Sequence, residues 1–480
     1  MLQQILDNIN GVLWSNALII FALASGLYYT IRTKGAQFKY IKLMTKYMFE
    51  KNDSDSGRSA FQSFALTMST RVGTGNIAGV ASAISVGGPG AVFWMWVSAI
   101  LGAGTTIVEC TLAQIYKSAD GSEYRGGPQY FIDKGLGTKW FAMLFAACSA
   151  FALGFCTPGI QANAIADSMN VAFGINKMMV GAVVAVLASL IIFGGIKRIS
   201  KFAELVAPVM AIAYLVIALI MIGINFTHIP EVFGLIFSSA FGTQAIFGGI
   251  VGNAVLMGVK RGIYSNEAGM GTASQAASTA EVSHPVKSGL VQAMSVYIDT
   301  IFVCTATAMM ILFTGMYNVD GIVENLPGIE AGPGYVQGAI DTLIPGFGSG
   351  FVAIAMLLFA FTTILGNYYA AETGAAYICK KSKNINPKIL MTGLRVATIS
   401  AILLFCSKSS LLAWAMADVG MGALSWINFI SLILLSNVAF KVFNDFEEQY
   451  KLTGDATFDP EKLGIKNTEV WSKSSKANNK

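Results

Sequence analysis

Long apolar runs separated by short charged stretches organise this chain of 480 residues. Runs able to cross about 30 Å of hydrocarbon need roughly 20 residues each. They fall near 12–31, 60–85, 91–116, 140–170, 178–194, 202–224, 233–258, 286–315, 347–379, 389–406 and 411–440. The pattern predicts an all-α integral membrane protein with about eleven transmembrane helices. Several runs exceed twenty residues, as tilted or broken helices would, and Pro158 within the fourth predicts a kink.

Two of these runs are interrupted by glycine with an asparagine at the break: Val72-Gly73-Thr74-Gly75-Asn76-Ile77-Ala78-Gly79 and Phe247-Gly248-Gly249-Ile250-Val251-Gly252-Asn253-Ala254. A helix that loses its regular hydrogen bonds inside a bilayer has no water to satisfy the freed groups. The break must therefore face a ligand, an ion or a wet cavity. Paired breaks in two halves of one chain point to a transporter binding site.

Composition agrees, with 54% hydrophobic and 12% charged residues and a mean hydropathy of +0.60. The six cysteines are scattered singly through apolar stretches, without metal-site or disulfide spacing. No cleavable signal peptide is expected, because Gln3, Gln4, Asp7, Asn8 and Asn10 precede the first run without a basic start.

Loop charge predicts orientation. Arg32 to Arg58 encloses Lys34, Lys39, Lys42, Lys46 and Lys51, which marks a cytoplasmic loop. Lys197/Arg198/Lys201, Lys260/Arg261 and Lys380/Lys381/Lys383/Lys388 then alternate onto the same side, and the acidic stretch with Asp320, Glu324, Glu330 and Asp341 falls opposite. Eleven spans with the N-terminus outside and the C-terminus inside satisfy these loops. Setting aside the first span leaves two blocks of five, each opened by a broken helix, and an odd number inverts the second block. The expected domains are 1–57, an N-terminal helix and basic loop; 58–230 and 231–440, the two halves of a 5+5 inverted repeat; and 441–480, a polar cytoplasmic tail, solvated and partly disordered, ending in 473–480.

The first break offers backbone N–H groups of Gly73, Thr74 and Gly75 at the start of a half helix, where the dipole favours a carboxylate. Asn76 adds a neutral oxygen for a cation. Phe247, Gly248, Gly249 and Asn253 at the second break would close the site. For Gly102, Gly104, Gly181 and Gly289 the plainer reading is helix packing. The string Gly73 to Ala78 also fits GxGxxA, but no strand or soluble crossover unit accompanies it. The chain has no HExxH, no paired catalytic aspartate motif, no GxSxG and no P-loop, so neither an enzyme nor direct ATP drive is indicated. Accumulation against a gradient would separate a coupled transporter from a passive facilitator or channel.

Together with the breaks, Gly87-Gly88-Pro89-Gly90-Ala91-Val92-Phe93-Trp94-Met95-Trp96 and Tyr264-Ser265-Asn266-Glu267-Ala268-Gly269-Met270-Gly271-Thr272-Ala273 closely resemble the alanine/glycine:cation symporter family, also called sodium:alanine symporters. The resemblance covers about residues 10 to 440. It implies a leucine-transporter-type fold and sodium- or proton-coupled uptake of a small neutral amino acid, alanine or glycine first, with serine or glutamine as alternatives. No cofactor is implied beyond sodium as coupling ion; the partners are the amino acid, sodium and membrane lipid, with no nucleic acid. By resemblance, the Thr74 and Gly75 amides hold the substrate carboxylate and Asn76 contacts sodium. Thr362 and Thr363, with the Ser69 and Val72 carbonyls opposite, occupy the positions of a second sodium site, although membrane threonines also bond back to the preceding turn. Gln161, after Pro158, is placed to read the substrate, and Phe247 to wall the side-chain end of the pocket. Arg71 departs from the apolar residue usual there and is expected in a structural ion pair with Asp299 or Glu109.

Overall fold

The computed structural model describes residues 1–50, 57–121, 123–242, 245–329, 331–382 and 384–471. Lys51, Glu330, Lys383 and the terminal 473–480 stretch lie outside the described residues.

Helices α1 (Leu2–Leu13) and α2 (Asn16–Arg32) lead into the short α3 (Ala36–Lys39) and α4 (Ile41–Met48). Then come α5 (Ala60–Arg71), a π-helical turn (Gly75–Gly79), α6 (Val80–Gly87) and the long α7 (Gly90–Ile115). An antiparallel hairpin of β1 (Ser118–Asp120) and β2 (Glu123–Arg125) precedes α8 (Pro128–Phe131). Helices α9 (Lys139–Phe151) and α10 (Thr157–Phe173) are joined by a π-helical turn (Ala152–Cys156), and α11 (Lys177–Ile192) and α12 (Gly195–Ile224) follow.

Beyond α13 (Ile229–Ala240) and the one-turn α14 (Ala245–Gly248), the same order of elements recurs. Helices α15 (Val251–Asn266) and α16 (Thr272–Ala277) form a broken pair, followed by α17 (Pro285–Val296), a π-helical stretch (Tyr297–Cys304) and α18 (Thr305–Thr314). A second hairpin, β3 (Asn318–Val319) with β4 (Val323–Glu324), precedes α19 (Pro333–Asp341), and then come α20 (Phe347–Lys381), α21 (Pro387–Phe405) and α22 (Ser410–Thr453). The short helices α8 and α19 occupy equivalent places, and each opens with Gly-Pro, at Gly127-Pro128 and Gly332-Pro333. Proline suits a first helical turn, where its missing N–H would have no partner.

Among the described residues, eight helices are long and apolar enough to cross a membrane. The three remaining sequence-derived spans are too short as continuous helices, each for a local reason. Span 60–85 is cut at Val72–Thr74, span 178–194 is the 16-residue α11, and span 233–258 is divided between α13 and α15 by a turn. The fourth run stays helical from Lys139 to Phe173, with the π-helical turn just before Pro158 absorbing the lost N–H.

Polarity sorts in the sense expected of a lipid-facing protein. Leu205, Val209, Ile212 and Leu219 of α12 are exposed, and only 33% of its apolar window is buried, against 67% for α20. Helix α20 is thus interior and α12 peripheral. Helix α7 is a second interior post, because a Cβ at Gly258 would lie 2.4 Å from the Ala91 carbonyl oxygen and one at Gly289 2.6 Å from that of Ile107. Small residues let α15 and α17 press onto α7 backbone to backbone.

Up to Trp471, the tail is not a solvated appendage. Helix α22 runs on to Thr453, and the following segment folds back across one end of the bundle. Phe458 and Trp471 bury as apolar anchors in edge-on contact, and the Trp471 indole N–H donates to the Gln114 carbonyl at 2.8 Å. Glu469 pairs with Lys134 at 3.0 Å and Lys380 at 3.9 Å. The polar composition around these anchors concealed them.

Candidate functional site

Helix α5 begins with a reciprocal cap in which the Ser59 hydroxyl accepts from the Gln62 N–H while the Gln62 side chain accepts from the Ser59 N–H. It ends at Val72, whose extended backbone turns the chain out of the helix. The freed groups find side chains. The Gly73 N–H donates to Asn76 Oδ1 at 2.8 Å, and the Thr74 N–H and hydroxyl both donate to Gln161 Oε1, at 3.0 and 2.6 Å. These residues are buried, so the break is an interior, polar element of the kind a bilayer tolerates only in protein or beside a cavity.

Glycine at position 73 is required by space, because a Cβ there would lie 2.4 Å from Thr363 Oγ1 and 3.0 Å from Gln161 Oε1. Gly75 is next to the Ser265 backbone, which a Cβ would approach to 3.2 Å. A cavity of about 10 Å³ lies here, lined by Gly73, Gly75, Gln161, Thr363, Tyr264, Glu267, Asn367 and Met421 among others. That is room for about one water.

Asn76 joins the break to a carboxylate. Its Nδ2 donates to Asp299 Oδ1 at 2.7 Å, and Asp299 Oδ2 accepts from the Ser265 hydroxyl at 2.9 Å and the Thr300 hydroxyl at 2.7 Å. Oxygens of α15 and of the π-helical stretch therefore meet around a fully buried acid, a hard set suited to an alkali cation, while Asn76 turns its Nδ2 to the acid and its Oδ1 to the Gly73 N–H. Among the described residues no group of three or more His, Cys, Asp or Glu side chains is placed to hold a metal ion.

At the facing side of the break, the Thr363 hydroxyl donates to the Val72 carbonyl at 3.1 Å and to that of Phe359 at 2.9 Å. The Ser69 hydroxyl caps back on Leu66, beside Gly366, where a Cβ would meet it at 2.7 Å. Ser69, Val72 and Thr363 thus share the α5–α20 seam. Thr362 does not, since its hydroxyl lies 3.7 Å from Met210 Sδ of α12 and bonds back to Phe359.

The second set of sequence-derived residues is placed elsewhere. Phe247 is buried against Gly88, where a Cβ would sit 3.4 Å from its ring. Gly248, Gly249 and Asn253 are exposed in and after the turn that joins α14 to α15. The interruption that reaches the cavity is Glu267 to Gly271, between α15 and α16. Glu267, Gly269 and Gly271 all have positive φ (53°, 81° and 89°), and Glu267 Oε2 accepts from the Thr70 and Thr272 hydroxyls at 2.8 and 2.7 Å. A carboxylate followed by two glycines in an apolar run was the available signal, and the Gly-Gly string upstream drew attention from it.

Arg71 does not form the expected ion pair. Its Nη1 donates to the Ser295 hydroxyl at 2.5 Å and the Gln292 carbonyl at 3.2 Å, and Nη2 reaches the Thr106 hydroxyl at 3.5 Å. Asp299 is instead engaged by Asn76, Ser265 and Thr300, and Glu109 Oε2 accepts from the Gly269 N–H at 3.0 Å. Neutral oxygens of α17 and α7 hold the guanidinium.

A family model described as the sodium:alanine symporter family matches residues 1–460. A "Sodium/proton-dependent alanine carrier protein" of Bacillus sp. (strain PS3) is 46% identical over 424 residues, covering 87% of this chain and 94% of its relative. The "Probable sodium/glutamine symporter GlnT" of Bacillus subtilis (strain 168) is 40% identical over 477 residues, 98% of this chain and 97% of the relative. Among solved structures, a manganese transporter mutant of Eremococcus coleocola superposes with a TM-score of 0.51 at 11% identity, covering 84% of this chain and 89% of that one. At that identity the likeness concerns the fold alone.

Proposed function

Because this chain belongs to the sodium:alanine symporter family, we infer that it couples inward sodium flow, with protons as the other candidate ion, to uptake of a small neutral amino acid by alternating access. Alanine or glycine is the substrate this reading favours. The observation that carries it is the buried break at Val72 to Gly75, whose N–H groups point to side-chain oxygens beside the Asn76–Asp299 cluster. An amino acid needs donors for a carboxylate and acceptors for an ammonium within a few ångströms, and a symporter needs a cation ligand set adjoining them.

In this reading the Thr74 and Gly75 amides take the carboxylate once Gln161 swings aside. One sodium ion binds at Asn76 and Asp299, with a second at Ser69, the Val72 carbonyl and Thr363. The repeated element order supports a 5+5 inverted repeat after the N-terminal helix, spanning the membrane eleven times with α11 and the two broken pairs counted, N-terminus outside and C-terminus inside.

The test is uptake of labelled alanine into proteoliposomes under a sodium, lithium or proton gradient. Accumulation that needs the sodium gradient supports coupled symport; equilibration without accumulation would identify a passive facilitator. Strong inhibition by excess glutamine would move the substrate to that of the GlnT-like relatives.

A further inference from the structure

Asn367 lies on α20 one turn beyond Thr363, so the two share a helix face. It is 1% exposed, it lines the cavity, and its Oδ1 has no hydrogen-bond partner among the described residues. Buried acceptors are almost always satisfied, because leaving one unpaired forfeits its hydration without replacement. Two neighbours on the same wall sharpen the oddity. The Tyr264 hydroxyl is likewise buried without a partner, and the Glu267 carboxylate uses one oxygen for the Thr70 and Thr272 hydroxyls. The Arg71 terminal nitrogens, the nearest source of positive charge on α5, face Ser295, Gln292 and Thr106 instead.

We propose that Asn367, together with the Glu267 carboxylate, holds the ammonium group of the bound amino acid. The proposal rests on the symport reading above and deepens it. The substrate would lie across the cavity, its carboxylate at the Gly73–Gly75 amides and its ammonium between α20 and the α15–α16 break. A primary ammonium has three donors, which match an amide oxygen, a carboxylate oxygen and a phenolic oxygen. Closure of the site would then be reported to both broken helices through one ligand.

The experiment uses the full chain in detergent and in proteoliposomes, with Asn367→Leu and Glu267→Gln. Thermal unfolding, alanine binding and sodium binding without alanine are measured for each. Leucine is close in size to asparagine and removes an unpaired acceptor, so Asn367→Leu should match or exceed the unmutated protein in melting temperature. It should bind alanine at least tenfold more weakly and leave sodium binding unchanged. Glu267→Gln should show the same selective loss. Three results would overturn the proposal: unaltered alanine affinity in both variants; weakened sodium binding without alanine, which would make the pair a cation ligand; or a lower melting temperature of Asn367→Leu alongside lost binding, the behaviour of an asparagine bonded within the protein. Absence of alanine uptake by the unmutated chain would instead remove the symport reading itself.

Discussion

The strings Gly73 to Asn76 and Gly248 to Asn253 look alike on paper and differ in nearly every physical respect. The first is buried throughout, and its backbone donors end on Asn76 and Gln161. The second runs from the end of α14 through a two-residue turn into the first turn of α15, its glycines and Asn253 exposed, and a Cβ added at Gly249 or Gly252 would meet nothing within 4 Å. Glycine clusters therefore mark only places where helix can stop. Whether the stop is a binding site or a turn depends on what surrounds it: at Gly73 a threonine of α20 and a glutamine of α10, at Gly249 open space.

Moving a single methyl group should expose that contrast most sharply. Gly73→Ala places a Cβ against Thr363 Oγ1 and Gln161 Oε1, and alanine uptake should fall roughly 100-fold, the order expected when reacting or binding groups shift by about 1 Å. Gly252→Ala should leave uptake unchanged. Parallel uptake curves for the two variants decide the matter, and equal losses would erase the distinction.

Phe247→Ala asks whether that side chain belongs to the pocket or to the packing. Its burial against Gly88 predicts a loss of about 3 kcal/mol in stability, as for other buried aromatic truncations. The inhibition profile of serine, leucine and glutamine should stay as it was. A broadened profile at normal stability would return Phe247 to the substrate's vicinity.

The two asparagines can be set side by side as well. Asn76→Ala removes the amide partner of Asp299 and should raise the sodium concentration for half-maximal uptake roughly tenfold, the scale of a hydrogen bond to a charged group. Asn253→Ala should not move it. Sodium titrations of both variants supply the comparison.

A smaller effect is expected from pH, at the end of the bundle where the tail docks. Burial holds the His284 imidazole below its ordinary value, against the opposing pull of Asp445. The folded state therefore binds its proton less readily than the unfolded chain, and stability is retained above about 6.5 and lost as pH falls below it. Hydrogen exchange of the 454–471 segment should accelerate below that pH in the unmutated protein. His284→Gln should flatten the response.

Much of this architecture was legible because bilayer thickness leaves a length signature in the chain. The long spans and the first break needed only apolar runs and Gly73-Thr74-Gly75. What escaped depends on three-dimensional neighbours. Asp299 was read as a counter-charge for Arg71, yet the guanidinium is satisfied by Ser295 and the Gln292 carbonyl, leaving Asp299 to Asn76. Glu267 sat inside a recognisable motif, but only the positive φ values at 267, 269 and 271 reveal that the helix stops there. Asn367 is an ordinary polar residue in a 35-residue helix until its missing partner is noticed.

The hydrogen bond from Trp471 to Gln114 spans 357 residues of chain. Ribosomes deliver the N-terminal part first, at roughly 5–20 residues per second. The end of α7 therefore waits until residue 471 has been made before Trp471 can reach it. A chain truncated shortly after α22 would leave the end of α7 at Gln114, and Lys134 beside it, without the segment that covers them.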